Sequence, residues 1–314
     1  MSARMDGIRL RCVLLTMALC LMASTFSSAA DTTVAVIYPD IGEPYHSFFD
    51  KIIEGVASKA RIASFPVGNN SNTQQLADEL HRLNIQKVVV LGRNGIKAAF
   101  GLGQDMQMVA GGIISAPEFE IQGMRVHSLA PDPALLFARM TLMMPSVKRV
   151  YVVYDPRQTD WLMVLAREAA KSQRLEFVSY EAQDLKTAAR LYLEIFSHAD
   201  ARTDALWLPQ DSTTVDDSTV LPLILQESWK YSLAIFSSSL SHVRRDILFS
   251  LYPNNVELGR SLANSVLSLP AAQGKLASSM VPLEDVQAAV NVRTASHLGL
   301  NIKQQNFDLV FPEQ

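Results

Sequence analysis

The protein has 314 residues, with 28 Lys and Arg against 31 Asp and Glu, and its formal net charge is −3 at pH 7. This mild acidity argues against a nucleic-acid-binding protein, which needs a basic face. The length suffices for one large domain or for two medium lobes, each with its own hydrophobic core.

The first thirty residues have the pattern of a cleavable signal peptide. Arg4, Arg9 and Arg11 form a positive region, and an apolar stretch then runs over 12–26. The small residues that follow, up to Ala30, suit signal peptidase. A retained membrane anchor is the alternative, but an apolar run of about fifteen residues is shorter than the roughly twenty of a spanning helix. We therefore expect cleavage near Ala30 and export to the periplasm.

Both cysteines, Cys12 and Cys20, lie inside this predicted signal peptide. The mature chain would then have no disulfide and would depend on its core alone. We do not expect lipid modification of Cys20, because Leu19 precedes it where a small residue is usual, and Leu21 continues the apolar run. Cleavage removes three arginines and one aspartate, a net +2, so the charge moves from −3 to −5. No second stretch of eighteen apolar residues follows, and we expect a soluble mature protein.

Short β-branched runs alternate with helical patterns through the first half of the mature chain. The predicted strands are 34–38, 62–67, 87–91 and either 107–111 or 112–115, and the predicted helices are 48–60, 73–83 and a segment after 92–95. This alternation indicates βαβ units and a parallel sheet.

The same alternation starts again after Met144–Ser146. The predicted strands are 149–154, 175–180, 205–208 and 232–236, and the predicted helices are 160–173, 185–198 and 215–230. The sequence therefore predicts an α/β protein with two doubly wound parallel-sheet lobes.

The loops at the carboxyl ends of these strands supply the candidate ligand contacts. Open parallel sheets bind ligands there, where helix N-termini offer unpaired N–H groups. If the two lobes face each other, these loops line one cleft between them. The candidates are Tyr45, His46, Arg93 and Asn94 in the first lobe and Asp155, Thr159, Asp211, Ser212, Ser238 and Ser239 in the second.

Each candidate also has a structural interpretation. Asp155 and Asp211 are equally well placed to be helix N-caps. His46 is as well suited to a turn as to a ligand contact, and Arg93 is compatible with a position in solvent. A cation at a helix start flanked by glycines would, however, suit a carboxylate ligand. The serine run 237–239 is compatible with a flexible loop.

Motifs of known enzyme classes are not found. Gly92–Lys97 departs from the spacing of a phosphate-binding loop, and Gly101–Gly103 follows a helix and not a strand. The six histidines are scattered without ligand-like neighbours, so we expect no metal and no cofactor. We expect a protein that is not an enzyme. The alternative is an exported hydrolase with a dispersed site, for which Asp211→Ala would abolish activity without unfolding the protein.

Several segments between residues 144 and 302 resemble the substrate-binding proteins of ABC transporters, in the branch often linked to tryptophan or tyrosine uptake. The resemblance rests on their order and spacing. The segments are Met144–Ser146, Val150–Pro156, Leu208–Asp211, Ile235–Ser238, Val243–Arg245, Tyr252 with Glu257–Arg260, and Asn291–Ala295 followed by Leu298–Leu300.

This resemblance implies a type I periplasmic-binding fold, in which two lobes joined by a hinge of crossing strands close on a small ligand. Asp211 and Ser212 lie where the family has Asp-Asn in its cleft. Ser238 and Ser239 lie in a loop that usually has a serine followed by an acidic residue, and Asp155 lies where the family has Asn or Asp before proline. The lobes implied are 31–145 with about 254–280, and 146–253 with about 281–314.

The function implied is capture of a small polar or amino-acid-like ligand by a monomeric periplasmic protein, for a membrane permease. The sequence departs from the family at Asp246, where glycine is usual, and at Ser239–Ser241, where the acidic residue is absent. These departures motivate an alternative, in which the protein is a ligand-sensing input for a membrane sensor kinase.

Overall fold

The computed structural model describes residues 32–68, 71–103, 105–270, 278–303 and 306–312. The predicted signal peptide, with Cys12, Cys20 and the cleavage site at Ala30, lies outside these residues. Within the described ranges, no helix combines the length and the apolar character needed to cross a membrane.

The described residues form thirteen strands and ten α-helices in alternation. The strands are β1 (Thr33–Pro39), β2 (Arg61–Val67), β3 (Lys87–Leu91), β4 (Gln107–Ile113), β5 (Arg125–Pro131), β6 (Arg149–Tyr154), β7 (Glu176–Glu181), β8 (Asp204–Leu208), β9 (Ala234–Ser237), β10 (Phe249–Pro253), β11 (Ser279–Leu283), β12 (Val286–Asn291) and β13 (Leu309–Phe311). The helices are α1 (Tyr45–Ala57), α2 (Thr73–Arg82), α3 (Gly92–Ala99), α4 (Pro133–Met143), α5 (Pro156–Ser172), α6 (Leu185–His198), α7 (Val220–Tyr231), α8 (Leu240–Arg244), α9 (Asn255–Ser268) and α10 (Val292–His297).

The first lobe is a six-stranded sheet in the order β11-β5-β4-β3-β1-β2, covered on both faces by helices. All of its strand pairs are parallel. The apolar run of β1 is fully buried from Val34 to Ile37, because alternate side chains enter two different cores. Helices α1 and α9 pack in one of these cores, and α2 and α3 pack in the other.

The second lobe is a seven-stranded sheet in the order β13-β12-β10-β9-β8-β6-β7. Its pairs are parallel except for β10 and β12, which are antiparallel. Helices α4 and α5 cover one face, with Phe137 and Met163 in the core, and α6 and α7 cover the other. The predicted α/β architecture with two doubly wound sheets is confirmed.

The chain passes three times between the lobes, from β5 to α4, from β10 to α9 and from β11 to β12. Backbone hydrogen bonds tie these passages together, since Asp132 N donates to Leu283 O and Asn254 N donates to Asp285 O, both at 2.9 Å. The three connections therefore form one hinge.

The structure places one of these passages away from its predicted position. The first lies between Pro131 and Pro133 and not near residue 145, because α4 buries Leu136, Phe137 and Met140 in the core of the second lobe. The last lies between β11 and β12, within a few residues of the predicted position, because β11 pairs with β5 in the first sheet as far as Leu283.

Candidate functional site

A cavity of about 1130 Å³ lies between the lobes, at the carboxyl ends of their parallel strands. The first lobe contributes the loop after β1, the start of α3 and the end of β4. The second lobe contributes the loops after β8 and β9. The volume is at the upper end of the range for small-molecule sites, as expected for an open cleft.

Six of the ten predicted contact residues line this cleft. They are Tyr45, Arg93 and Asn94 from the first lobe and Asp211, Ser212 and Ser239 from the second. The rule that ligands bind beyond the strand ends therefore predicts contact residues from four loops, those after β1, β3, β8 and β9.

The other four predicted residues, His46, Asp155, Thr159 and Ser238, are not part of the cleft lining. Asp155 is buried and caps α5, where it accepts hydrogen bonds from Arg157. Thr159 donates to the carbonyl of Asp155 at 3.2 Å, and Ser238 accepts a hydrogen bond from the Trp207 indole at 3.0 Å. His46 lies 2.9 Å from Asp50 on the exposed face of α1. These contacts are structural.

The wall from the first lobe is mainly apolar and aromatic. Tyr45, at the start of α1, is 64% exposed, and Phe49, Ile113 and Leu129 lie deeper in the cleft. Glu43 is the acidic group of this wall, and both of its carboxylate oxygens lie 2.7 Å from Ser47 Oγ.

Arg93 is held at the edge of this wall by neighbouring groups. Its guanidinium lies 3.3 Å from Glu120 and donates to the Ser115 carbonyl at 3.2 Å. Gly92 precedes it with a φ of +69°, and an added Cβ would lie 2.8 Å from the Pro39 side chain. Glycine is therefore needed where β3 passes directly into α3.

On the opposite wall, Asp211 joins two loops of the second lobe. Its carboxylate accepts backbone hydrogen bonds from Asp155 at 2.7 Å and from Thr213 at 2.9 Å. Burial raises the pKa of Asp211, and these backbone bonds act in the opposite direction. Both oxygens are already engaged, so Asp211 fixes the shape of the wall.

The sequence analysis missed two further acidic residues of this wall, Asp216 and Asp217. Asp216 Oδ1 accepts hydrogen bonds from the hydroxyl and backbone groups of Thr219 and Ser218, which lower the pKa of Asp216 to about 2. Asp217 is 63% exposed and lies 3.4 Å from His242 and 3.7 Å from Arg245. Two adjacent carboxylates shortly after a strand end were a usable signal in the sequence, although the predicted helix 215–230 covered both residues.

His242 also lines the cleft and lies between a serine and an aspartate. Its Nδ1 is 2.8 Å from Ser237 Oγ, and its Nε2 faces Asp217. This series does not form a nucleophilic site, because Ser237 is fully buried and its hydroxyl donates to the Leu208 carbonyl. Burial lowers the pKa of His242, and the carboxylate of Asp217 opposes this shift.

A smaller cavity of about 490 Å³ adjoins the cleft near the hinge and shares Gln210, Ser239 and Ser241 with it. Within the described residues, Gln210 Oε1 and Asn255 Oδ1 are buried without a hydrogen-bond partner, and both residues line this smaller cavity. The described ranges contain no group of three or more His, Cys, Asp or Glu arranged to hold a metal ion.

Asp246 has a backbone conformation that is uncommon for residues other than glycine. Its φ is +70°, in the left-handed region that glycine adopts most easily. The carboxylate accepts a hydrogen bond from Asn291 at 3.2 Å, and the carbonyl accepts one from Thr294 at 2.9 Å. The departure at Asp246 therefore keeps the backbone conformation that glycine would provide.

No protein-family model matches the sequence, and no curated protein matches it. Solved structures match it in fold. A ligand-free, open substrate-binding protein with adhesive properties from Clostridium difficile aligns with a TM-score of 0.62 and 12% identity, over 90% of this chain and 100% of that one.

Two further structures align with a TM-score of 0.53. The ABC domain in complex with L-Trp from Streptococcus pneumoniae is 13% identical, over 90% of this chain and 100% of its own. A conserved domain protein from Vibrio cholerae is 15% identical, over 89% of this chain and 99% of its own. At these identities the similarity concerns the fold, which is that of type I periplasmic binding proteins.

Proposed function

We propose that the protein is a periplasmic solute-binding protein that captures a small ligand between its lobes and delivers it to an ABC transporter. The observation that carries this proposal is the cleft of about 1130 Å³, lined from both lobes and placed beside a three-stranded hinge. Two of the structural neighbours, a substrate-binding protein and a domain in complex with L-Trp, support it.

The proposed lobe division supports closure about that hinge. Residues 32–131, with α9 and β11, would move as one body, and the remaining described residues would move as the other. Closure would bring the Tyr45 wall toward the Asp216 wall and exclude water from the ligand between them.

Ligand binding tests this proposal through stability and shape. A ligand that binds only the folded protein raises the thermal midpoint progressively with its concentration. We expect such a rise for at least one compound in a screen of amino acids, amines, purines, sugars and short peptides. Small-angle scattering with that compound should show a smaller radius of gyration. A screen without any shift contradicts the proposal.

The membrane partner is tested separately. We expect the ligand-bound protein to co-purify with a permease of the ABC type. Capture of a sensor kinase in its place would assign the protein to signalling, the alternative that the departures from the family motivate.

A further inference from the structure

We infer that the ligand of the cleft is an organic cation, an amine with an apolar body. This inference rests on the proposed function and adds the chemical class of the ligand. It follows from the charges, the unpaired acceptor and the apolar wall of one cavity.

The charges of the cleft lining are mainly negative. Besides His242, the charged side chains of the lining are four carboxylates, from Glu43, Asp211, Asp216 and Asp217, and one guanidinium, from Arg93. The guanidinium is already engaged by Glu120, which is outside the lining. A ligand with a net negative charge would therefore be repelled by the net negative charge of the lining.

Two of the carboxylates have capacity left for a ligand. Asp211 accepts bonds on both oxygens, and Asp217 faces Arg245. The hydrogen bonds of Asp216 all end on Oδ1, which leaves Oδ2 to accept from a ligand. Glu43 lies exposed on the opposite wall, and its two oxygens share the single hydroxyl hydrogen of Ser47, which leaves capacity for a second donor. An ammonium group has three donors and can bond to carboxylates from both lobes.

The neutral side chain of Gln210 in the cleft also requires a hydrogen-bond donor. Gln210 Oε1 is buried without a hydrogen-bond partner among the described residues, and Gln210 lines both the cleft and the smaller cavity beside it. An acceptor in this state is costly unless a bound molecule supplies an N–H or O–H group. This observation is independent of the carboxylates and indicates the same donor-rich ligand.

The opposite wall fits the body of such a ligand. Tyr45 is 64% exposed in the cleft, with Ile41 and Phe49 beside it. An aromatic face attracts a cation and packs against apolar carbon. The two walls are therefore suited to the two ends of one amphipathic amine.

The first experiment compares ligands that differ in charge. The thermal midpoint would be measured with phenethylamine, 2-phenylethanol and 3-phenylpropionate, and with panels of amines, neutral sugars and carboxylates. We expect the largest shifts from the amines. A best ligand that is neutral or anionic would overturn the inference and leave the proposed function standing. No shift from any compound would overturn both.

The second experiment removes one charge from the cleft. Asp216→Asn keeps Oδ1 as the acceptor for Ser218 and Thr219 but loses the negative charge. We expect it to weaken binding of the best amine about tenfold, the worth of one hydrogen bond to a charged group. The affinity of the wild type should also fall as salt rises, and this dependence should be smaller in the variant.

Asp184→Asn is the matched control. Asp184 caps α6 and accepts from the backbone and hydroxyl of Thr187, as Asp216 does from Thr219, but it lies outside the cleft. We expect it to leave the affinity and its salt dependence unchanged. Equal effects of the two substitutions, or none from Asp216→Asn in a folded protein, would contradict the role of Asp216.

Discussion

The two lobes share one architecture but differ in what their interiors contain. Among the described residues, thirteen polar or charged side chains are buried, and only Ser128 belongs to the first lobe. The other twelve lie between Asp155 and Thr294, all in the second lobe. The first lobe is therefore held by apolar and backbone packing, and the second also by hydrogen bonds between its loops.

This difference extends to the cleft. In the second lobe, Asp211 and Ser238 hold the loops in one arrangement before any ligand is present. In the first lobe, Tyr45 and Glu43 stand in solvent on the loop and helix after β1. The cleft therefore has a preformed wall in the second lobe, whereas the side chains of the first-lobe wall are free to adjust to the ligand.

The largest expected effect comes from the close helix packing of the first lobe. A Cβ added to Gly55 in α1 would lie 2.0 Å from the Val256 carbonyl oxygen and 2.9 Å from Gly259 Cα in α9. We expect Gly55→Ala to cost about 3 kcal/mol, because backbone atoms must separate to admit the methyl group. Urea unfolding would measure the loss.

Gly68→Ala provides the control for that substitution. An added Cβ at Gly68 meets no atom within 4 Å. We expect its unfolding midpoint to stay close to that of the wild type. If the two alanine variants are equally stable, the helices do not pack as closely as described.

The next effect tests the hydrogen-bonded interior of the second lobe. Ser238→Ala removes the acceptor of the buried Trp207 N–H. We expect a loss of about 1–2 kcal/mol, the cost of leaving one buried donor unpaired. Ligand affinity should not change, because Ser238 is outside the cleft lining.

Ser212→Ala should show the opposite pattern. Ser212 is exposed and lines the cleft, so we expect unchanged stability and weaker ligand binding. Calorimetric titration and urea unfolding of both variants would separate the two roles. A loss of affinity in Ser238→Ala, with unchanged stability, would reverse the assignment.

This pair also shows what the sequence can and cannot predict. Strand ends are visible as the points where β-branched runs stop, so the loops after β1, β3, β8 and β9 were predicted as cleft loops. Which residue of a loop faces the ligand depends on its last few backbone angles. In the run 237–239, Ser239 reaches the cleft, whereas Ser238 turns toward Trp207.

The course of the chain between the lobes was harder to predict. Helix α4 has apolar residues on more than one face, with Leu142 72% exposed and Phe137 fully buried. No periodic pattern therefore indicates its partner, and only long-range contacts place it in the second lobe. Asp216 was missed because it lies in the predicted helix 215–230, whereas α7 begins only at Val220.

The smallest expected effect concerns pH, since the first lobe holds the half-buried His127 and the second lobe holds the buried His242. Burial lowers the pKa of His127 in β5, Arg125 adds to this, and Asp285 opposes it more weakly. Burial also lowers the pKa of His242, but Asp217 opposes the shift. The unfolded chain takes up protons near the ordinary histidine pKa of about 6.5, before either folded histidine does. Stability is therefore full above that pH and falls as pH falls through it toward the lower folded values.

Substitution of His127 or His242 by glutamine removes the loss of stability that is linked to protonation of that histidine. We expect the free energy of unfolding to fall less between pH 7.5 and pH 5.5 in both variants than in the wild type. His127→Gln should remove more of the dependence than His242→Gln, because the carboxylate of Asp217, 3.4 Å from Nε2, favours the protonated form of His242. His127 Nε2 is buried without a hydrogen-bond partner among the described residues. Urea unfolding at several pH values would measure both slopes. A larger change in His242→Gln would show that the polar interior of the second lobe is the more sensitive to acid.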